Sequence, residues 1–445
     1  MTESSGQQQL LRNTPLFRED LPFTARSAAA PAAGAPPART AYAVSRCGNT
    51  SQFEALGAEW NALLERAHHQ SVFLKHQWMS AWWERIGAGS RDLFVLLARD
   101  GHGRLVGILP LCRQTHGRGL FARRALHFLG SWPEAPEHLD AIVDATGAAG
   151  IVEALVAALG GMRGEFDAIE LLDLTEKSLL QPALARLAAA AGYACRTRAW
   201  QVCPYIGLAG TYDKYLMTLT QKHRYKVRLF GKRLAAAHKV EMEVATEPAQ
   251  VGAALEEMFR LHAMRWTLKT DDVSGFDDPA VHAFHRLAAE KLAADGAIRI
   301  FLLRCDGKAV AACYCLVQGG RMYFFQPGFD PEFRKLHVGK VLLGRVIERC
   351  YEERLVEFDF LRGTEDYKFD WTERTRPTLA CDVALTARAR VAHALAEAQR
   401  QGHARWMEHR GRLVARVKAH PTGAKLLAAL KKRRGGMAAP EPAED

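Results

Sequence analysis

The sequence predicts an α/β protein: two successive halves of mixed sheet and helices, then a helical arm. Three observations predict it. Short apolar runs of strand length alternate with amphipathic segments of helix length from about residue 51 to 385. Three apolar runs, 298–303, 309–317 and 322–326, are joined by Asp306-Gly307 and Gly319-Gly320, dipeptides that suit hairpin turns. A helix-length segment at 338–352 then leads to a run at 356–360, the order of a crossover to a parallel strand.

The chain has 445 residues, too many for one comfortable core, so two domains are expected. A hydrophobic fraction of 48% and a charged fraction of 24% are those of a globular protein. The net charge of +11 favours anionic partners such as nucleic acid, anionic lipid or a phosphate-rich small molecule. Part of it sits in the tail, at Lys418, Lys425, Lys431, Lys432, Arg433 and Arg434. Nine scattered cysteines, with no C-x-x-C, argue for reduced thiols rather than a disulfide framework. The first residues lack a basic segment followed by an apolar run, and 153–162 is too short to span a bilayer. A cytoplasmic protein is expected.

Residues 1–40 are rich in Ala and Pro and read as disordered, as do 435–445. Helices are predicted at 51–67 and 75–86, the second with Trp78 and Trp82 on one face. Leu93–Leu97 and Leu105–Leu111 are strands connected through Asp100-Gly101. A helix at 150–161, a strand at 168–172, a helix at 179–191 and a strand from Tyr193 complete the first half. The second half opens with helices at 212–219 and 221–236, the latter strongly basic. A strand at 239–245 and helices at 248–266 and 279–294 precede the hairpins. A last strand falls at about 378–385. Residues 386–410 and 412–432 read as two helices; Arg388, Arg390, Arg400, Arg405 and Arg410 make the first basic.

Three segments carry chemistry. The first runs from Tyr323 through Gln326-Pro327-Gly328 to Val338-Gly339-Lys340 at a helix start. Helix N-termini offer free N–H groups, Gly339 permits close approach, and Lys340, Arg334 and Lys335 add positive charge. A diphosphate suits this place; a glycine-relieved turn with a solvated basic cluster suits it equally. The second, Glu357 to Trp371, gathers polar groups at the carboxyl end of a strand, where ligand crevices form. Asp359 and Arg362 can pair there, and Glu365 and Lys368 can share a helical face. The blander reading is a salt-bridge network closing the strand end. The third is the basic run Lys222 to Arg228, continuing to Lys232 and Arg233, which suits nucleic acid, a phosphate-rich ligand or a solvated face. No metal-ligand spacing, serine triad, G-x-S-x-G, dinucleotide fingerprint or P-loop is present.

Together these segments resemble a known family. The matching features are Lys222-x-Arg224 and its basic helix, Phe259-x-x-His262-x-x-Arg265-Trp266, Tyr323 to Phe333, and the Gly339 helix start. Asp359-Phe360-x-x-Gly363-x-x-x-Tyr367-Lys368-x-x-Trp371 completes the pattern. It resembles the CelD/BcsL group of GNAT-fold acetyltransferases, associated with cellulose and exopolysaccharide biosynthesis and similar in turn to the FemABX-like peptidyl transferases. The resemblance is densest over 212–372 and extends to about 50–385.

The resemblance implies tandem GNAT-like domains at 41–208 and 209–385, with a basic helical arm at 386–434. It implies transfer of an acyl group, acetyl first, from acyl-CoA to an amine of a small molecule or saccharide, without a permanently bound cofactor or metal. Arg334, Lys335, His337, Val338, Gly339 and Lys340 are then expected to hold the donor. Asp359 or Glu365 is expected to serve the amine as base or orienting group, and Tyr323 or Tyr367 to protonate the leaving thiolate. Arg224, His262, Arg265, Trp266, Arg362 and Lys368 are expected to bind substrate. In this fold the pantetheine arm enters a V-shaped opening, here expected between strands 322–326 and 356–360. Two alternatives stand beside this reading. One is an aminoacyl-tRNA-dependent transferase, prompted by the basic helices. The other is a non-catalytic partner in a polysaccharide-synthesis assembly that touches a membrane through its basic arm.

Overall fold

Both predicted hairpins form in the computed structural model, which describes residues 42–119, 122–131, 136–266, 276 and 278–419. Asp306 and Gly307 have φ of 51° and 84°, and Gly319 and Gly320 have 56° and 72°. Positive φ at both central residues is the turn that matches strand twist.

The strands are β1 (Ala43–Cys47), β2 (Asp92–Arg99), β3 (Leu105–His116), β4 (Arg123–Phe128), β5 (Ile142–Val143), β6 (Ala168–Leu174) and β7 (Ala194–Gly207). They continue with β8 (Val240–Ala245), β9 (Ile298–Cys305), β10 (Lys308–Gln318), β11 (Arg321–Phe329), β12 (Glu357–Asp359) and β13 (Thr375–Ala384). Among the described residues they form one mixed sheet in the order β1-β2-β3-β4-β6-β13-β7-β12-β11-β10-β9-β8, with β5 on β3. The architecture is tandem GNAT-like: a large mixed sheet flanked by helices, with a C-terminal helical region. β7 is the seam, pairing with β13 along one edge and β12 along the other. β13, late in sequence, lies between β6 and β7 and pairs antiparallel with both.

The helices are α1 (Thr50–Ala55), α2 (Gly57–Glu65), α3 (His76–Trp82), α4 (Ala148–Gly161), α5 (Leu180–Ala190) and α6 (Tyr212–Thr218). After them come α7 (Gln221–Ala237), α8 (Pro248–Trp266), α9 (Pro279–Ala294), α10 (Val338–Glu352), α11 (Asp366–Phe369) and α12 (Ala387–Ala419). In β9, Ile298, Ile300 and Leu302 enter one apolar cluster with α8 and α9, while Phe301, Leu303 and Cys305 enter another with α10. Successive side chains point to opposite faces, so a sheet covered on both sides reads as a continuous apolar run. Cys313 and Cys315 are buried in β10, as their apolar surroundings predict.

Two expectations change. The break predicted between helices at Gly411 does not occur: α12 runs unbroken from Ala387 to Ala419. One glycine costs a helix only about 1 kcal/mol, less than is needed to end it. Residues 420–434 of the predicted second helix lie outside the described residues. The expectation also omits β1, β4 and β5. Among the described residues no helix is long and apolar enough to cross a membrane.

Candidate functional site

β11 and β12 are parallel neighbours, as the crossover order predicts, but only over Arg321–Tyr323 and Glu357–Asp359. Beyond that point they part. β11 carries on to Phe329, with a bulge where its register against β10 slips between Tyr314 and Cys315. The chain after Asp359 follows β7 instead: Phe360 N–H donates to the Pro204 carbonyl and Gly363 N–H to that of Val202. Leu361 and Gly363, with φ of 56° and 116°, make the change of direction.

A cavity of about 240 Å³ lies beside this divergence. Ala312, Cys313, Phe324, Phe329, Val338 and Leu343 give it apolar walls. Arg265, Arg334, His337, Gly339, Lys340 and Tyr367 supply its polar rim. α8 packs against β11 so closely that a Cβ at Gly328 would stand 2.7 Å from the His262 backbone nitrogen. That approach lets Arg265 donate to the Pro327 carbonyl at 3.1 Å, which fixes its guanidinium at the cavity.

The start of α10 closes one end of the cavity. α6, α7 and α9 have their first amides capped by Thr211, Thr220 and Asp278. α10 instead begins at His337, in the left-handed conformation with φ of 56°, and has no side-chain cap. Its leading N–H groups and positive dipole end are thus presented toward the cavity without a competing acceptor from the cap. Gly339 leaves the approach open: the nearest atom to a Cβ built there is Phe329 Cδ1, at 3.8 Å.

Positive charge surrounds this helix start. His337 stacks on Phe230 of α7, with ring centroids 3.9 Å apart. Burial, then the charges of Lys340, Lys226 and Arg233, hold the His337 pKa below its ordinary value. Lys226 and Arg233 of α7 lie near enough to His337 to bear on its charge, but neither lines the cavity. Lys340 is partly neutralised by Asp370, 2.7 Å away. The Asp370 carboxylate also stands 3.8 Å from His223 Nδ1.

Tyr367 faces the cavity from α11. Burial, then the charge of Glu365, pushes its phenol well above the usual range, against a smaller opposing effect of Arg265. It stays protonated at neutral pH and can donate a hydrogen bond, although it is a weaker acid than an ordinary tyrosine.

Arg265, Arg334, His337, Val338, Gly339, Lys340 and Tyr367 thus come together. Other expected site residues do not. Asp359 is fully buried, 2.9 Å from His138 Nε2 and paired with Arg376. Burial alone would raise its pKa, but His138 and Arg376 outweigh it and hold the carboxyl far below the usual range. A carboxylate so stabilised is a poor proton acceptor, so the role of base does not suit it. Tyr323 is buried against Phe73, its phenol pushed up to about 12 by burial, and it is not part of the cavity wall.

Arg362 is paired with Glu137 and Asp173, and Lys368 is buried on the Arg362 carbonyl and Glu365. Both close the strand end, as the blander sequence reading has it. Glu365 is exposed, with Lys368 at 3.1 Å. Arg224 donates to the carbonyls of Met217 and Leu219 at the end of α6. His262 is buried behind β11 with Nδ1 3.4 Å from the Pro327 carbonyl oxygen, and Trp266 packs beside it. Lys335 is exposed and does not line the cavity. Lys226 and Arg233 belong to the basic run, and Asp370 to the segment Glu357 to Trp371, that the sequence marks as carrying chemistry, but no individual role is expected of them there.

Residues 221–369 match a family described as an acetyltransferase (GNAT) domain. The crystal structure of FemX shares 11% identity, with 76% of this chain and 98% of FemX covered and a TM-score of 0.54. Similarity at that identity is similarity of fold. The C-terminal domain of a putative lysylphosphatidylglycerol synthetase from Agrobacterium fabrum is 14% identical over 78% of this chain and 96% of its own, with a TM-score of 0.47. A tandem GNAT protein from the clavulanic acid biosynthesis pathway is 13% identical over 76% and 98%, with a TM-score of 0.40. No curated protein matches the chain. The fold is that of the GNAT acyltransferases, and nothing in these matches selects the cellulose-associated group among them.

Proposed function

We propose that this chain is an acyl-CoA-dependent N-acyltransferase acting on the amine of a small molecule or saccharide. The observation that carries the reading is the cavity at the divergence of β11 and β12, apolar within and basic at its rim, ending on an uncapped helix start. The match of residues 221–369 to an acetyltransferase domain supports it. An acyl-CoA has the same polarity: an apolar, amide-bearing arm and an anionic diphosphate. The amides of Val338 and Gly339 would hold the diphosphate, with Lys340, Arg334 and the α7 cations adding charge. Phe324, Phe329, Ala312, Cys313 and Leu343 would line the arm.

Transfer needs an unprotonated amine beside the thioester, and positioning supplies much of the rate. No Asp or Glu is among the cavity-lining residues. Deprotonation is therefore assigned to the acceptor's own equilibrium or to a water chain. Tyr367 is assigned a hydrogen bond to the departing sulfur, and the proton that the acceptor nitrogen releases reaches the thiolate through water.

Isothermal titration with acetyl-CoA and longer acyl-CoAs tests the donor site; absence of heat with all of them would refute it. Once an amine acceptor is found, Tyr367→Phe should lower kcat by about 100-fold with little change in KM. Unchanged kcat in a folded variant would remove Tyr367 from the mechanism.

A further inference from the structure

We propose that His116, His127 and Glu170 form a binding site for a divalent transition-metal ion. The three residues come from β3, β4 and β6, well away from the β11–β12 cavity. Their ligand atoms all lie within 4.8 Å of one another. His116 Nε2 and His127 Nε2 face each other at 3.0 Å, and Glu170 Oε2 is 3.8 Å from His127 Nε2.

The hydrogen bonding sets the chemistry of each donor. His127 Nδ1 lies 3.1 Å from the Glu170 backbone carbonyl, which can only accept. Nδ1 therefore carries the proton, and Nε2 of the neutral ring presents its lone pair toward His116. This is the arrangement of a metal-bound imidazole, whose second nitrogen donates to a carbonyl and so fixes tautomer and ring angle. Arg123 donates to Glu170 Oε1, holding the carboxylate so that its other oxygen turns toward the rings.

A metal ion takes its imidazoles neutral, so binding competes with protons. All three residues are half-buried, so an ion has access.

Spacing fits as well. Zinc–nitrogen bonds of about 2.0–2.1 Å put two tetrahedral ligands roughly 3.3 Å apart, close to the 3.0 Å between the rings. Two imidazoles and one carboxylate leave a fourth position for water. Arg123 neutralises part of Glu170, so the imidazoles dominate affinity. That selects zinc, cobalt, nickel or copper over magnesium or calcium. The site also has a structural reason to exist. β4 and β6 pair only at Ala125–Ala168 and Leu126–Ile169, and a metal would fasten β3, β4 and β6 where that pairing is short.

No sequence spacing reveals this site, because its members belong to three strands. The simpler account is that the two histidines only hydrogen-bond to each other. The full chain, stripped with a chelator, separates the two. Titration with Co²⁺ should give the visible absorption of tetrahedral cobalt at one equivalent, Zn²⁺ should displace it, and Tm should rise with Zn²⁺. Magnesium should do none of this. Glu170→Gln should weaken Zn²⁺ binding at least tenfold, and His116→Ala with His127→Ala should abolish the cobalt spectrum, in variants shown to be folded by circular dichroism. Two outcomes would overturn the site: a parent chain that gives no cobalt spectrum, and a folded double variant that binds as tightly as the parent.

Discussion

Gly339→Asp should leave the protein folded and weaken acyl-CoA binding by at least about 100-fold, the result of a like charge costing some 3 kcal/mol against an anionic ligand. A Cβ at this position meets only Phe329 Cδ1 at 3.8 Å, an ordinary contact, so the variant has no steric reason to unfold. Its carboxylate would stand at the uncapped start of α10, where the donor diphosphate is placed. A carboxylate at a helix start is itself favourable for the helix, which separates binding from stability. Gly339→Ala should bind within a few-fold of the parent and gain up to about 1 kcal/mol from helix propensity. Tm and titration calorimetry on both variants check this. A folded Gly339→Asp protein with parental affinity would place the diphosphate elsewhere.

Arg376→Ala should cost about 3–5 kcal/mol of stability, the usual result of stripping the partner from a buried charge. Arg376, on β13, reaches across β7 with its guanidinium 4.6 Å from the centroid of the Tyr205 ring. It grips Glu357 at 2.6 Å and also Asp359, both on β12. Removing it leaves Asp359 buried with His138 and the Leu361 amide as neighbours. The paired change Asp359→Asn with Arg376→Met should cost less than Arg376→Ala alone, because the buried charge leaves with its partner.

The pH dependence follows in sign. The Asp359 pKa is depressed in the folded state, so its contribution is complete above the unfolded value of about 4 and falls away as pH drops below it. The Tm gap between parent and Asp359→Asn should be widest near pH 7 and narrow in acid. A gap that does not change with pH would contradict the assignment.

Legibility in the sequence tracked the range of the interactions. Helices α8, α9 and α10 are readable because each carries its own apolar period, and the turns at Asp306-Gly307 and Gly319-Gly320 because two residues define them. β4 escapes because Arg123, Arg124 and His127 break its alternation, and β5 because two residues, Ile142 and Val143, make no pattern. At the site, Gly339 and Lys340 advertise a helix start in local sequence. Asp359 misleads, because the residues that lock it, His138 and Arg376, come from distant segments. Ala312, Cys313 and Phe324 look like ordinary core until the divergence of two strands gives them a space to line.

The position of β13 bears on how the chain is made. β6 and β7 leave the ribosome early, but the strand that fills the gap between them comes only at Thr375–Ala384. While residues 208–374 are synthesised, each keeps an edge without its final neighbour, and open edges recruit other chains. The segment before β13 therefore has to be shielded by chaperones or kept soluble by its own charge until Thr375–Ala384 emerges. A stop codon anywhere before residue 375 should yield aggregate rather than an independent folded fragment.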